Sequence, residues 1–270
     1  MFLTSSGILI RILSNSYLNV FQKILTNKGE KSSVVNFYTY LGLTLLSVWF
    51  IKDFCAEIFP LVLIMGILGA AGNYFIIKAL SIGELSSLAP INSYKPVVAL
   101  IFGIFFLKEI PSLSAIFAIL LIIAGTYFIY GRSKCNKKAV IYRVIALICS
   151  GLEAIYIKKL ILLTGITNSF ILWAISGMIF SLVFVIFAKH KPIIKDYKSQ
   201  ILLIISVGIM QYSTNFVFSR MNVSHALALF QLSTLLSVFL GAKLFNEKDL
   251  KNKIIGSIIM IIGAVILILN

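Results

Sequence analysis

Residues Phe59–Ala79 read FPLVLIMGILGAAGNYFIIKA, an unbroken apolar run with one charge, Lys78, near its end. A membrane-crossing helix needs roughly 20 apolar residues, and this run supplies them. Nine comparable runs accompany it. In the first half they are Ser5–Leu25, Val34–Ile51, Leu85–Leu107 and Leu113–Tyr130. In the second half they are Ala139–Leu160, Phe170–Ala188, Ile201–Ser219, His225–Phe245 and Ile254–Leu269. The runs are continuous, not short and alternating, so a membrane β-barrel is excluded.

Composition agrees. Of 270 residues, 60% are hydrophobic and 12% charged, and the mean hydropathy is +1.02. Soluble domains are about 45–50% apolar and about 25% charged. Ten spans leave only short connectors, so no separate soluble domain fits. The net charge of +15 does not point to nucleic acid, because Lys and Arg sit in connectors, where they orient membrane helices. Cys55, Cys135 and Cys149 are scattered and support neither a disulfide framework nor a zinc site. The N-terminal run lacks a charged leader and a small-residue cleavage site, and reads as a retained first helix rather than a signal peptide.

The chain repeats itself. At an offset of about 138 residues Tyr74 meets Tyr212, Ser81 meets Ser219, Ser86 meets Ser224, Gly103 meets Gly241 and Gly125 meets Gly263. Leu107-Lys108-Glu109 meets Phe245-Asn246-Glu247. The expected organisation is a five-helix repeat over residues 1–130, a basic linker over 131–138 and a second five-helix repeat over 139–270. Five is odd, so the second half must enter the membrane in the opposite sense. The fold class is therefore all-α integral membrane, with ten transmembrane helices as two inverted repeats. Inverted halves can exchange conformations and open a central site to each side in turn.

The ends of the halves carry short motifs: Ala79-Leu80, Leu88-Ala89-Pro90, Lys95-Pro96-Val97, Leu107-Lys108-Glu109 and Ile123-Ala124-Gly125, then Leu244-Phe245-Asn246-Glu247 and Ile261-Ile262-Gly263-Ala264. On these the chain resembles the EamA family of the drug/metabolite transporter superfamily, with Thr234 where the second half would carry the motif proline. The resemblance implies a cavity lined mainly by the third, fourth, eighth and ninth helices, with help from the first and sixth. It also implies transport of a small metabolite driven by a gradient or by exchange. Most of the 24 Lys and Arg residues follow odd-numbered spans, which by the positive-inside rule puts both termini outside. The resemblance implies both inside, so orientation stays open.

Charged side chains in mid-membrane cost about 2.5–3.5 kcal/mol on insertion scales and usually face the bundle interior or water. Lys95 lies between Pro90 and Pro96. Two prolines disrupt the backbone there, and such irregularity is tolerated where it lines protein or a cavity. Lys95 either attracts a substrate carboxylate or phosphate, or neutralises a protein carboxylate. Glu153, in the sixth span, faces Asn15 across the repeat. It could bind a substrate amine, couple a proton, or pair with a cation such as Lys95. Together the two could hold a zwitterion. Asn92 and Tyr94 flank Lys95, and Asn15, Asn19, Asn73, Tyr74, Gln211, Tyr212, Asn215 and Gln231 complete the candidate set. Each could equally bond a neighbouring helix. Trp49 and Trp173 read as anchors or packing residues. Glu109 and Glu247 recur at helix ends and read as structural, binding free amides of the next helix.

The sequence has no HExxH, no phosphate-cradling GxxxxGK[ST] and no Ser/His/Asp set, and only two histidines. The expectation is a non-enzyme without cofactors or metals. It is a multi-pass protein of the cell (inner or plasma) membrane that moves an amino acid or related metabolite. Its partners are that substrate, a coupling proton or exchanged metabolite, and the lipid bilayer, and it is a monomer or homodimer. The alternatives are an exporter of organic cations or drugs, and a non-transport membrane enzyme or assembly factor.

Overall fold

Apolar runs in lipid must satisfy their backbone groups internally, and every element among the described residues is helical. The computed structural model describes residues 2–52, 56–95, 97–98, 112–130, 136–221 and 223–269. In order these form α1 (Phe2–Asn27), α2 (Ser32–Ser47), α3 (Phe59–Ile82), the one-turn α4 (Leu85–Leu88) continued by a 3-10 stretch Ala89–Tyr94, and α5 (Leu113–Tyr130). After these comes the helical segment Lys137–Phe187, then α8 (Tyr197–Arg220), α9 (Val223–Phe230), α10 (Leu232–Phe245) and α11 (Leu250–Leu269). Cys55, Pro96, Gly103, Leu107-Lys108-Glu109, Cys135 and most of the basic linker lie outside the described residues, as does the fourth span beyond Val98.

The 51-residue segment Lys137–Phe187 would be about 76 Å long as one straight helix, more than twice the roughly 30 Å hydrocarbon core. It turns at Gly165, whose φ of 80° is open to glycine at no steric cost. Trp173 Nε1 donates to Glu153 Oε1 at 2.7 Å, although the two residues would sit about 30 Å apart along a continuous helix. The segment is therefore a hairpin of two helices, α6 (137–164) and α7 (166–187).

Among the described residues, four segments are long and apolar enough to cross a bilayer unaided: Ser32–Phe50, Phe59–Ile82, Lys137–Phe187 and Tyr197–Arg220. Three of the other expected spans, the first, fourth and ninth, depart from that pattern for identifiable reasons. Arg11, Ser14, Asn15, Ser16 and Asn19 put a polar stripe on α1. The fourth span breaks at Ala89–Tyr94, as its two prolines imply. The ninth breaks at Gln231 between α9 and α10, and 231 is the repeat counterpart of 93.

The halves run in opposite senses. Lys23 Nζ, near the C-terminal end of α1, donates to Leu80 O and Gly83 O at the end of α3. Near the other end of α1, Phe216 of α8 packs against Gly7. Those levels are about 24 Å apart along α1, so α3 and α8, which are repeat counterparts, end at opposite faces of the bundle. The bonding repeats too. Lys158 Nζ donates to Phe218 O and to Met221 O, the counterparts of Leu80 and Gly83. In each half a lysine thus satisfies the free carbonyls and negative dipole at a helix C-terminus.

Two further clasps tie the halves at the Lys23 end. Glu247, just after α10, accepts from Leu85 N and Ser86 N, both at 2.8 Å. The expectation that it serves the next helix is corrected here: its amides begin the broken fourth span of the other half. Lys253, 1% exposed, pairs with Glu84 at 2.5 Å and donates to Ser86 Oγ at 2.8 Å. Burial works to raise the Glu84 pKa, but the Lys253 bond and charge outweigh it and hold the carboxyl below its usual range.

Candidate functional site

Arg11, Asn15 and Asn19 recur every fourth residue, so one face of α1 carries all three. That face looks into a cavity of about 130 Å³ between the halves. Asn73 of α3, Asn92 and Lys95 of the fourth span, Arg143, Ser150 and Glu153 of α6, Trp173 of α7 and Gln211 of α8 also line it. Apolar walls come from Leu18, Ile76, Ile157, Val207, Met210, Phe218 and Phe230, with Tyr40 of α2.

Seven of the twelve sequence candidates meet here: Lys95, Glu153, Asn92, Asn73, Asn15, Asn19 and Gln211. The other five lie elsewhere. Tyr94 bonds Thr126 Oγ1 at 2.5 Å, and Tyr74 stacks on Phe184 with ring centroids 4.7 Å apart. Tyr212 is exposed on the bundle and reaches Thr167 at 3.2 Å. Asn215 joins α8 to α7 through Ser169 Oγ at 3.1 Å. Gln231 Nε2 bonds Leu227 O at 3.2 Å, at the break of the ninth span. Polarity alone did not separate these from the lining, because a buried amide serves helix packing as readily as a ligand.

Three lining residues were read otherwise from the sequence. Arg11 and Arg143 look like connector charges when lysines and arginines are sorted by loop. Their signal is register: Arg11 precedes Asn15 by four, and Arg143 shares a helical face with Ser150. Trp173 packs, as expected, with its ring 4.9 Å from that of Tyr40, but it also orients Glu153 through its indole N–H. Gly69 completes this corner: a Cβ there would collide with Glu153 Oε1 and lie 3.2 Å from Trp173 Nε1.

Amide chains brace the walls. Gln22 Nε2 donates to Asn73 Oδ1 at 2.9 Å, Asn73 Nδ2 to Asn36 Oδ1 at 2.7 Å, and Asn36 Nδ2 to Ala70 O at 3.0 Å. Gln211, the repeat counterpart of Asn73, donates to Asn215 Oδ1 at 3.0 Å, and Asn215 continues to α7.

The repeat shows where the cavity is asymmetric. Asn15 Nδ2 donates to Ser233 Oγ at 3.0 Å. The counterparts of that pair, 138 residues away, are Glu153 and Lys95. One half thus closes a neutral contact, while the other presents a carboxylate and an ammonium that form no ion pair with each other. Among the described residues the ion pairs are Lys28–Asp196 and Lys253–Glu84, both outside the cavity. Arg143 is engaged by Leu88 O at 3.3 Å. Arg11 lies 4.2 Å over the Phe230 ring and reaches Ser233 Oγ at 3.4 Å.

Apolar helices outside, and a buried cavity inside that carries charges and amides from two oppositely directed halves, define an integral membrane transporter. The sequence matches the EamA-like transporter family over residues 5–131 and again over 137–269, and the chain belongs to that family, within the drug/metabolite transporter superfamily. A solved structure titled "Crystal structure of protein" superposes with a TM-score of 0.62 at 13% identity. The likeness covers 97% of this chain and 96% of that one, and at this identity it is a likeness of fold. No curated protein gives a significant match.

Proposed function

We propose that the protein is a ten-span secondary transporter of the cell membrane. Its inverted halves carry a small polar metabolite, an amino acid or related compound, by alternating access. The observation that carries this reading is the separated Lys95 and Glu153 in one cavity. Mid-membrane charges are costly, and two opposite charges left apart are suited to a ligand that brings the complementary groups. A substrate carboxylate sits on Lys95 and a substrate amine on Glu153. Asn15, Asn19, Asn73, Asn92 and Gln211 supply hydrogen bonds. The size of the cavity supports a small cargo: about 130 Å³ is below the roughly 300–1,000 Å³ of drug-sized pockets. The three lining cations, Arg11, Lys95 and Arg143, count against an organic cation. Charge balance through the cycle is kept by a coupling proton or an exchanged metabolite.

The test is counterflow in proteoliposomes loaded with one candidate at a time. Lys95→Met and Glu153→Gln should each abolish uptake of the accepted compound while the purified protein stays monodisperse. Uptake unchanged in both variants rejects this site.

A further inference from the structure

Arg11 and Lys95 both line the cavity, and neither meets a carboxylate there. Arg11 Nε is buried without a hydrogen-bond partner among the described residues. Lys95 makes no side-chain hydrogen bond among them either, and it feels Arg11, Arg143 and Glu153 only through space. Among the described residues Glu153 is the one acidic group in the lining, and its Oε1 is committed to Trp173. A neutral zwitterion with one carboxylate would answer Lys95 and leave Arg11 facing it. Like charges in a region of low dielectric repel strongly, and an uncompensated buried charge is costly. A guanidinium presents a planar fork of donors that matches a carboxylate or phosphate.

Building on the transporter reading, we infer that the substrate carries two acidic groups on a small skeleton, one for Lys95 and one for Arg11. A volume of about 130 Å³ is below the roughly 300–1,000 Å³ of drug-sized pockets, which suits a short-chain compound. Asn15 and Asn19 share the Arg11 face of α1 and also line the cavity, so the second acidic group meets a guanidinium and amides there.

The experiment measures binding and transport separately on the full-length protein. Thermal stabilisation in detergent is titrated with aspartate, succinate, alanine and choline, and the same compounds are tested in proteoliposome counterflow. The expected result is that aspartate or succinate binds at least tenfold more tightly than alanine and choline. Arg11→Gln should reduce that preference to less than threefold, and Arg11→Lys, which keeps the charge, should retain most of it. Alanine or choline binding as tightly as the two-acid compounds overturns the inference, as does a preference unchanged in Arg11→Gln. Two-acid binding without counterflow of any compound would instead count against transport and leave the substrate class standing.

Discussion

Removing the Glu247 carboxylate tests the junction between the halves. Its two oxygens take the first two amides of α4 at 2.8 Å each, and Leu85 and Ser86 are 1% and 0% exposed. Glu247 itself is half-buried, so water replaces the lost acceptor only in part. A hydrogen bond to a charged group contributes about 1.5–3 kcal/mol, and an orphaned buried donor costs about 1–3 kcal/mol. The two bonds share one carboxylate and are not additive, so Glu247→Ala should cost on the order of 2–5 kcal/mol. Glu247→Gln keeps one acceptor oxygen and should lose about half as much. At about 2–4 °C per kcal/mol for a chain approaching this size, the Ala variant should melt roughly 5–15 °C lower in detergent. Lys248→Ala, an exposed neighbour, serves as the control and should not move. An Ala variant that melts within 2 °C of the parent would refute the idea that this clasp holds the halves together in the observed conformation.

Other outcomes follow from the same contacts. Lys23→Met and Lys158→Met each remove a lysine from a helix C-terminus, and each should cost about 1–2 kcal/mol, with thermal shifts within a factor of two of one another. The Lys28 bond and the Ser199 bonds depress Asp196 to about 2. Its stabilisation is therefore complete above the ordinary aspartate pKa of about 3.9 and disappears as pH falls through about 2. Solvent screening keeps it to about 1 kcal/mol or less. Asp196→Asn should flatten the pH dependence of melting in that window alone. Gly69→Ala should displace Glu153 from Trp173 and raise the substrate concentration needed for half-maximal counterflow at least tenfold, with monodispersity retained.

Much of the fold was legible because lipid imposes one simple requirement, a long apolar helix. The requirement is plain in Phe59–Ala79 and weaker in α1, where the run Ser5–Leu25 is interrupted by the cavity residues Arg11, Asn15 and Asn19. The repeat was legible from a handful of residues at one offset, and the structure gives one pair of them equivalent work. Ser81 Oγ bonds Lys78 O at 2.8 Å, and Ser219 Oγ bonds Phe216 O at 2.8 Å, each at its helix end. Glu247 shows the limit of such reasoning. A recurring acid at a helix end signals that amides are being bound, but which amides depends on how the halves interlock. Sequence offset does not encode that.

The site was half legible for a related reason. Lys95 and Glu153 stand out because their cost in lipid is large on any path. An asparagine or glutamine costs far less and can be satisfied by a neighbouring helix, so Asn73 and Asn215 look alike in sequence, yet one lines the cavity and the other bridges α8 to α7. Arg11 was hidden by the opposite error, since a basic residue near a terminus reads as an orientation signal. Its register with Asn15 and Asn19 decides the matter, because a charge that shares a helix face with buried amides cannot also sit at the interface. The repeat then shows that the acidic group lies on one side of the cavity. Where the first helix meets the ninth span, the neutral Asn15 and Ser233 bond each other, with Arg11 beside Ser233. Where the sixth meets the fourth, Glu153 and Lys95 occupy the same places unpaired. On the proposed alternating-access reading, a symmetric scaffold with an asymmetric charge opens to both sides while holding its cargo in one orientation.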